Sequence, residues 1–226
     1  MGEFRDYLDK MELELEIIRK EMVSEMSIAG YGNWEPSREM IGTMSAFIIR
    51  KNWTVLLEIK TRLNDSYTVY KLKDSYIIGE FKITSTQDEI FEVYLRIDLR
   101  EHKSTANDLN IHKRLMNVDG VKVNEDMYGL GLATAMYTFL VKNENIVVLS
   151  DETMHFGARR LWSRLSKRID TVVDIVDVSK GIYLERDVLI HHGLEDWEFD
   201  DRIWDYTTSK KNIRLILKEI KWPKKL

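Results

Sequence analysis

The chain has 226 residues, a formal net charge of −4 and no cysteine. That length suits one large domain or one domain with an appendage, and the acidic balance argues against nucleic-acid binding through bulk positive charge. The missing cysteines exclude disulfides, thiolate zinc sites and a cysteine nucleophile, and they fit a reducing compartment.

In chain order, residues 4–26 are predicted to be helical. Leu8, Met11, Leu15, Ile18 and Met22 recur at three- and four-residue steps with charged residues between them. "AGYGNWEPS" (Ala29–Ser37) ends that helix, so residues 1–36 read as a helical extension ahead of a domain over 37–226. The extension either packs on the body or offers a partner-binding face. No signal-peptide core interrupts its charged pattern, and no segment approaches the roughly 20 apolar residues of a membrane helix. The expected setting is the cytoplasm, with no membrane partner.

From Met40 to Arg100 the pattern becomes β. "TMSAFIIRK", "WTVLLEIK", "YTVYKLK", "SYIIGEFKIT" and "IFEVYLRIDLR" are rich in Val, Ile, Tyr and Phe, and turn residues separate several of them. Their close spacing predicts an antiparallel meander. In the last of these, Phe91, Val93, Leu95, Ile97 and Leu99 alternate with Glu92, Tyr94, Arg96 and Asp98, which predicts one apolar and one polar face. A polar connection, "EHKSTANDLNIHKRL", is expected to hold a short helix.

Next comes "VDGVKVNEDMYGLGLATAMYTFLV" (Val118–Val141): a strand, a glycine turn, and a helix with Leu132, Ala133, Met136, Tyr137, Leu140 and Val141 along one side. "NIVVLS" (Asn145–Ser150) reads as a strand buried on both faces. "TMHFGARRLWSRLSKR" (Thr153–Arg168) reads as an amphipathic helix with Phe156, Leu161, Trp162 and Leu165 inward. "TVVDIVDV", "GIYLE" and "NIRLILKEI" supply further strands. The fold class that follows is α+β, in α/β layers, with a mixed and mostly antiparallel sheet flanked by helices.

The glycine turn has a physical use. Gly129 and Gly131 let a ligand approach the backbone, and the first turn of the following helix presents unpaired N–H groups and a positive dipole end. Such a turn holds phosphate without a basic side chain. Two glycines alone are a weak signal. There is no Gly-Lys-Ser/Thr of a P-loop, and the third glycine and distal acid of a dinucleotide fingerprint are not in place.

Taken in order, the β meander, the strand–"GLGLA"–helix, the short apolar strand and the helix with "GARRLW" resemble the GNAT superfamily of acyl-CoA N-acyltransferases, over roughly residues 75–185. The likeness is to its divergent bacteriophage-encoded members, whose ends carry a segment like Asp200–Leu217 here. The resemblance implies acetyl-CoA as cofactor, its pyrophosphate held by the backbone of Tyr128, Gly129, Leu130, Gly131, Leu132 and Ala133. It also implies that strands 117–124 and 145–150 splay apart to admit the pantetheine arm. Two positions depart from the family pattern. Asp126 stands where Arg or Gln precedes the glycines. His155 and Trp162 align with the family's Asn and with its thiolate-protonating Tyr, and an indole does not titrate.

Glu125, nearest the turn, and Tyr137 are the candidate catalytic residues, with Tyr183 a further substitute acid. Glu80, Glu92 and Asp98 are candidate bases for the amine, each also readable as a surface acid. The five histidines show no metal-ligand spacing, and His191 and His192 would point to opposite faces of a strand. Arg159, Arg160, Arg164, Lys167 and Arg168 form a basic helix face, suited to solvent, to the 3′-phosphate of CoA or to an acidic partner. "HHGLEDWEFDDRIWDY" mixes Trp197, Phe199, Trp204 and Tyr206 with acids, as a packed loop or a protein interface would. Two functions remain open. One is an N-acyltransferase acting on an amine. The other is a catalytically inactive GNAT-like phage protein that binds and redirects a host protein in the host cytoplasm, or belongs to the virion.

Overall fold

The structure, a computed structural model, describes residues 43–61, 64–152, 154, 156–190, 203 and 212–220. The predicted N-terminal helix, His155, the His191–His192 pair and the Trp197, Phe199, Trp204 and Tyr206 segment lie outside the described residues. The elements are β1 (Thr43–Ser45), α1 (Ala46–Asn52), β2 (Thr54–Lys60), β3 (Ser66–Leu72), β4 (Ser75–Ile83), β5 (Glu89–Glu101), α2 (Lys103–Asp108) and β6 (Leu115–Val123). A 3-10 turn (Glu125–Met127) leads to α3 (Leu132–Lys142), β7 (Val147–Leu149), α4 (Phe156–Ser166), β8 (Thr171–Asp177), β9 (Ile182–Glu185) and β10 (Ile213–Glu219).

The result is an α+β fold on one large, mostly antiparallel sheet. The strands run β2-β3-β4-β5-β6-β7-β10-β8-β9, with β1 added beside β5. The first five strands of that order form the expected antiparallel meander; three of its links are short turns, and the β5–β6 link carries α2 yet returns antiparallel. Among the described residues, β6 and β7 form the one parallel pair, and α3 is its crossover. β10 returns from the chain's end to lie between β7 and β8, antiparallel to both.

Each face of the sheet is covered differently. On one face, α3 and α4 bury Leu132, Met136, Leu140, Leu161, Trp162 and Leu165 against Met116, Val118, Val148 and Val173. Burial of each such apolar side chain contributes roughly 1.5–3 kcal/mol, and six of the 11 residues of α3 are buried. On the other face, α2 covers Leu115, Val147, Leu149, Val176 and Ile216 through Ala106 and Leu109. Further along that face, Ile49 of α1 packs with Trp53, Tyr70, Ile77, Phe91 and Val93. Because β7 lies under both layers, all three of its residues are buried, as its unbroken apolar sequence requires.

Two expectations are corrected. "TMSAFIIRK" is not one strand: it breaks after Ser45, and Ala46–Asn52 is helical. Ala46 and Ile49 are buried while Phe47 and Ile48 are exposed, a three-residue spacing that a strand cannot give. Packing of Ile49 overrides the β preference of the Phe-Ile-Ile run.

The alternation along β5 also does not run unbroken. The register with β4 shifts between Ile78 and Gly79, which leaves Tyr94 as an extra residue on β5. Tyr94 is itself buried. Before it, Phe91 and Val93 belong to the α1 side; after it, Leu95, Ile97 and Leu99 belong to the α3–α4 side. The bulge therefore moves the apolar stripe from one face to the other.

Candidate functional site

The glycine turn follows β6. The Asn124 N–H donates to Tyr94 O at 2.8 Å, and the Asn124 carboxamide oxygen accepts from the Asp126 N–H at 3.1 Å. That cap starts the 3-10 turn in which Glu125 and Asp126 stand exposed. Gly129 (φ 80°) and Gly131 (φ 84°) then both take left-handed backbone conformations, which a side chain at either position would strain.

Gly131 is the residue before α3, and the first helical bond runs from the Ala135 N–H to Gly131 O at 2.9 Å. The N–H groups of Leu132, Ala133 and Thr134 therefore have no acceptor within the helix. Leu132 is 1% exposed, so its side chain anchors this turn in the core. Tyr128, Leu130 and Ala133 are half-buried and Gly129 is exposed. Met127 packs on the α3–α4 core.

Beside the turn, the parallel strands part. Leu115, Met116 and Asn117 pair with Val147, Val148 and Leu149, and the pairing stops there. β6 runs on through Val123 while still paired to β5. β7 instead follows β10: the Ser150 N–H donates to Leu215 O at 2.8 Å, and Ser150 Oγ accepts from the Leu215 N–H at 3.0 Å. The two chain directions thus make a fork whose vertex is Asn117 and Ser150.

The candidate catalytic residues do not come together. Glu125 is exposed on the 3-10 turn. Tyr137 is 2% exposed inside the core, and burial, with Asp151 nearby, pushes its phenol well above the ordinary value. Trp162 is 1% exposed and packs on Tyr137. Tyr183 on β9 sits with the α2-side cluster under the guanidinium of Arg186, and burial raises its phenol too.

The candidate bases also separate, because of the bulge at Tyr94. Glu92 and Glu80 both pair with Lys82, and bonds from Tyr94 and Lys82 hold the Glu80 carboxyl below its ordinary range. Asp98 instead accepts from Ser75 Oγ at 2.5 Å and from Arg96 Nε at 2.9 Å. On the basic helix, Arg159 donates to Met154 O at 3.1 Å, and just beyond the helix Arg168 forks onto Asp170 at 2.8 and 2.7 Å.

One residue was not singled out from the sequence. Arg214 on β10 is 3% exposed. Its Nε donates to Ser150 O at 2.7 Å, and its Nη2 reaches both that oxygen and the Asn117 carboxamide. It spans from β10 across β7 to β6 at the vertex of the fork. The available signal was an arginine inside "NIRLILKEI", a strand otherwise apolar at its centre. Among the described residues, no group of three or more His, Asp or Glu is placed to hold a metal. No described helix is long and apolar enough to cross a membrane.

Comparison with protein-family models, with curated proteins and with solved structures finds no match.

Proposed function

We propose that the protein is an acyl-CoA-dependent N-acyltransferase of GNAT-like fold, with the CoA pyrophosphate on the turn from Tyr128 to Ala133. The observation that carries this reading is the pairing of two features. Left-handed Gly129 and Gly131 deliver the free N–H groups of α3 beside the opening between β6 and β7. Backbone donors at a helix N-terminus suit a pyrophosphate. A parallel pair whose bonding stops beyond Asn117 would admit an extended arm between the strands. The insertion of β10 between β7 and β8 keeps β7 paired on its far side while the fork opens.

In this reading, the turn binds the cofactor and the fork aligns its thioester. Acetyl-CoA held there would supply its thioester to an attacking amine, with CoA thiol as the leaving product and the amine's surplus proton lost to solvent. Calorimetry with acetyl-CoA and with CoA is the test. Saturable heat with both supports the reading; absence of heat and of any thermal shift at millimolar ligand removes it.

The burial of Trp162 favours a second reading, a non-catalytic GNAT-like phage protein that acts by binding a host protein or as a virion component. An indole sealed in the core supplies no proton to a leaving thiolate. Exposed Asp126 next to the turn weakens phosphate binding in the same direction. Recovery of one stoichiometric host partner, together with no acyl-CoA binding, would select this reading over the first.

A further inference from the structure

The fork carries a second feature, on the face of the sheet opposite α3. Leu115 and Asn117 share one face of β6, and Arg214 and Ile216 share one face of β10. Leu115 and Ile216 belong to the α2-side cluster, so Asn117 and Arg214 lie on that side. There an open cleft of about 440 Å³ is lined by Arg100, His102, Lys103, Asn117, Glu152 and Arg214 among others.

Arg214 is the unusual member. A buried guanidinium is costly unless its charge is met. Its hydrogen bonds go to neutral oxygens, those of Ser150 and Asn117. Among the described residues, the one carboxylate within ion-pair reach is Glu152, 3.6 Å from Nη1 and 70% exposed. That separation is too long for a hydrogen bond, and solvent screens the pair. Burial accordingly lowers the Arg214 pKa, with Glu152 and Asp151 opposing that shift. Nη1 thus faces the cleft side of the fork with its charge poorly met.

The rest of the lining carries both signs, Arg100 and Lys103 against Glu101 and Glu152. His102 keeps Nδ1 buried and without a hydrogen-bond partner among the described residues. Arg100 and Lys103 are exposed at the rim, at 72% and 79%. Their own carboxylates are partly exposed: Asp119 at 2.7 Å from Arg100, and Glu101 at 3.7 Å from Lys103.

We propose that this cleft binds a small oxyanion, a phosphate or carboxylate group of a metabolite-sized ligand, with Arg214 as its buried anchor. Arg100 and Lys103 draw the anion in, and Glu152, 3.6 Å from Nη1, competes only weakly for the guanidinium. The cleft is separate from the glycine turn and does not rest on the acyl-CoA reading.

The test is titration of the full chain with inorganic phosphate and, separately, with malonate, at constant ionic strength in a low-chloride buffer. Saturable heat and a rise in melting temperature are expected with at least one of them; which one binds tighter identifies the oxyanion. Arg214 also ties three strands together, so its replacement is a poor probe. Glu152→Gln, at an exposed position, is expected to tighten binding by about threefold by removing the internal competitor. Arg100→Ser with Lys103→Ser is expected to weaken it by about tenfold without lowering the melting temperature of the free protein. No saturable response to either anion overturns the proposal. So does an affinity that neither the Glu152 variant nor the rim variant changes, because the anion would then sit elsewhere.

Discussion

The ring of Tyr137 on α3 meets the indole of Trp162 on α4 edge to face, with centroids 5.9 Å apart at 85°. This contact joins the two helices over the sheet, and both rings are almost fully buried. An edge-to-face pair contributes roughly 0.5–1.5 kcal/mol beyond its burial. Trp162→Ala is therefore expected to lower unfolding free energy by about 3–5 kcal/mol, and Tyr137→Phe by less than about 1.5 kcal/mol, in urea denaturation.

The same burial makes an alkaline prediction. The Tyr137 phenol is raised from its ordinary value of 10.0, so the folded protein keeps a proton that the unfolded chain gives up. The stabilisation is full below pH 10 and falls as pH rises beyond it. Unfolding free energy measured between pH 9 and pH 11 is expected to fall less steeply in Tyr137→Phe than in the parent chain. Equal slopes would mean that Tyr137 titrates normally.

The glycine turn separates shape from use. Alanine at position 131 must adopt φ near 84°, at a cost of about 1–2 kcal/mol. Gly131→Ala is expected to melt lower and to lose acetyl-CoA binding measured by calorimetry. Asp126 is exposed and makes no demand on the fold beyond its N–H cap, so Asp126→Asn is expected to leave the melting temperature unchanged. Removal of about 1 kcal/mol of repulsion would tighten CoA binding by about fivefold. Unchanged CoA affinity in Asp126→Asn would place the pyrophosphate away from this turn.

Local patterns made much of this architecture legible. The meander, the glycine turn, the helix after it and the buried β7 are each carried by short-range signals: turn residues, paired glycines, a helical apolar period and an unbroken apolar run. What was not legible depends on contacts distant in sequence. Ile49 makes a helix of a strand-like run because Phe91 and Val93 lie beneath it. Tyr94 reverses the faces of β5 through a register shift against β4. That shift also separates Glu92 from Asp98, two acids that simple alternation placed together. Arg214 meets Asn117, 97 residues away in sequence, only because β10 inserts beside β7, a pairing that periodicity does not encode.

The bulge at Tyr94 has a further requirement. Opposite it, Gly79 leaves no room for a side chain: a Cβ there would overlap the carbonyl oxygen of Glu92 and lie 2.6 Å from Phe91 Cε1. Backbone must move to admit it. Gly79→Ala is expected to cost about 1–3 kcal/mol in chemical denaturation, with loss of the α1-side packing first. A neutral or stabilising effect would mean that β4 and β5 do not pair in this register.

Acid should find a different weak point, where α3 and the loop before β8 are held together. Asp170 accepts from Lys142 of α3 at 2.7 Å and from Arg168 at 2.8 and 2.7 Å. The Arg168 bonds, with those of Lys142, hold its carboxyl down to about 2, from an ordinary 3.8. A lowered carboxylate pKa contributes stability that is full above about pH 4 and disappears as pH falls toward 2. The groups are partly solvated, so the contribution is about 1 kcal/mol or less. Asp170→Asn is expected to melt below the parent chain at pH 7 and to converge with it near pH 2. A gap that persisted unchanged at low pH would assign the loss to packing of the Asp170 side chain rather than to its charge.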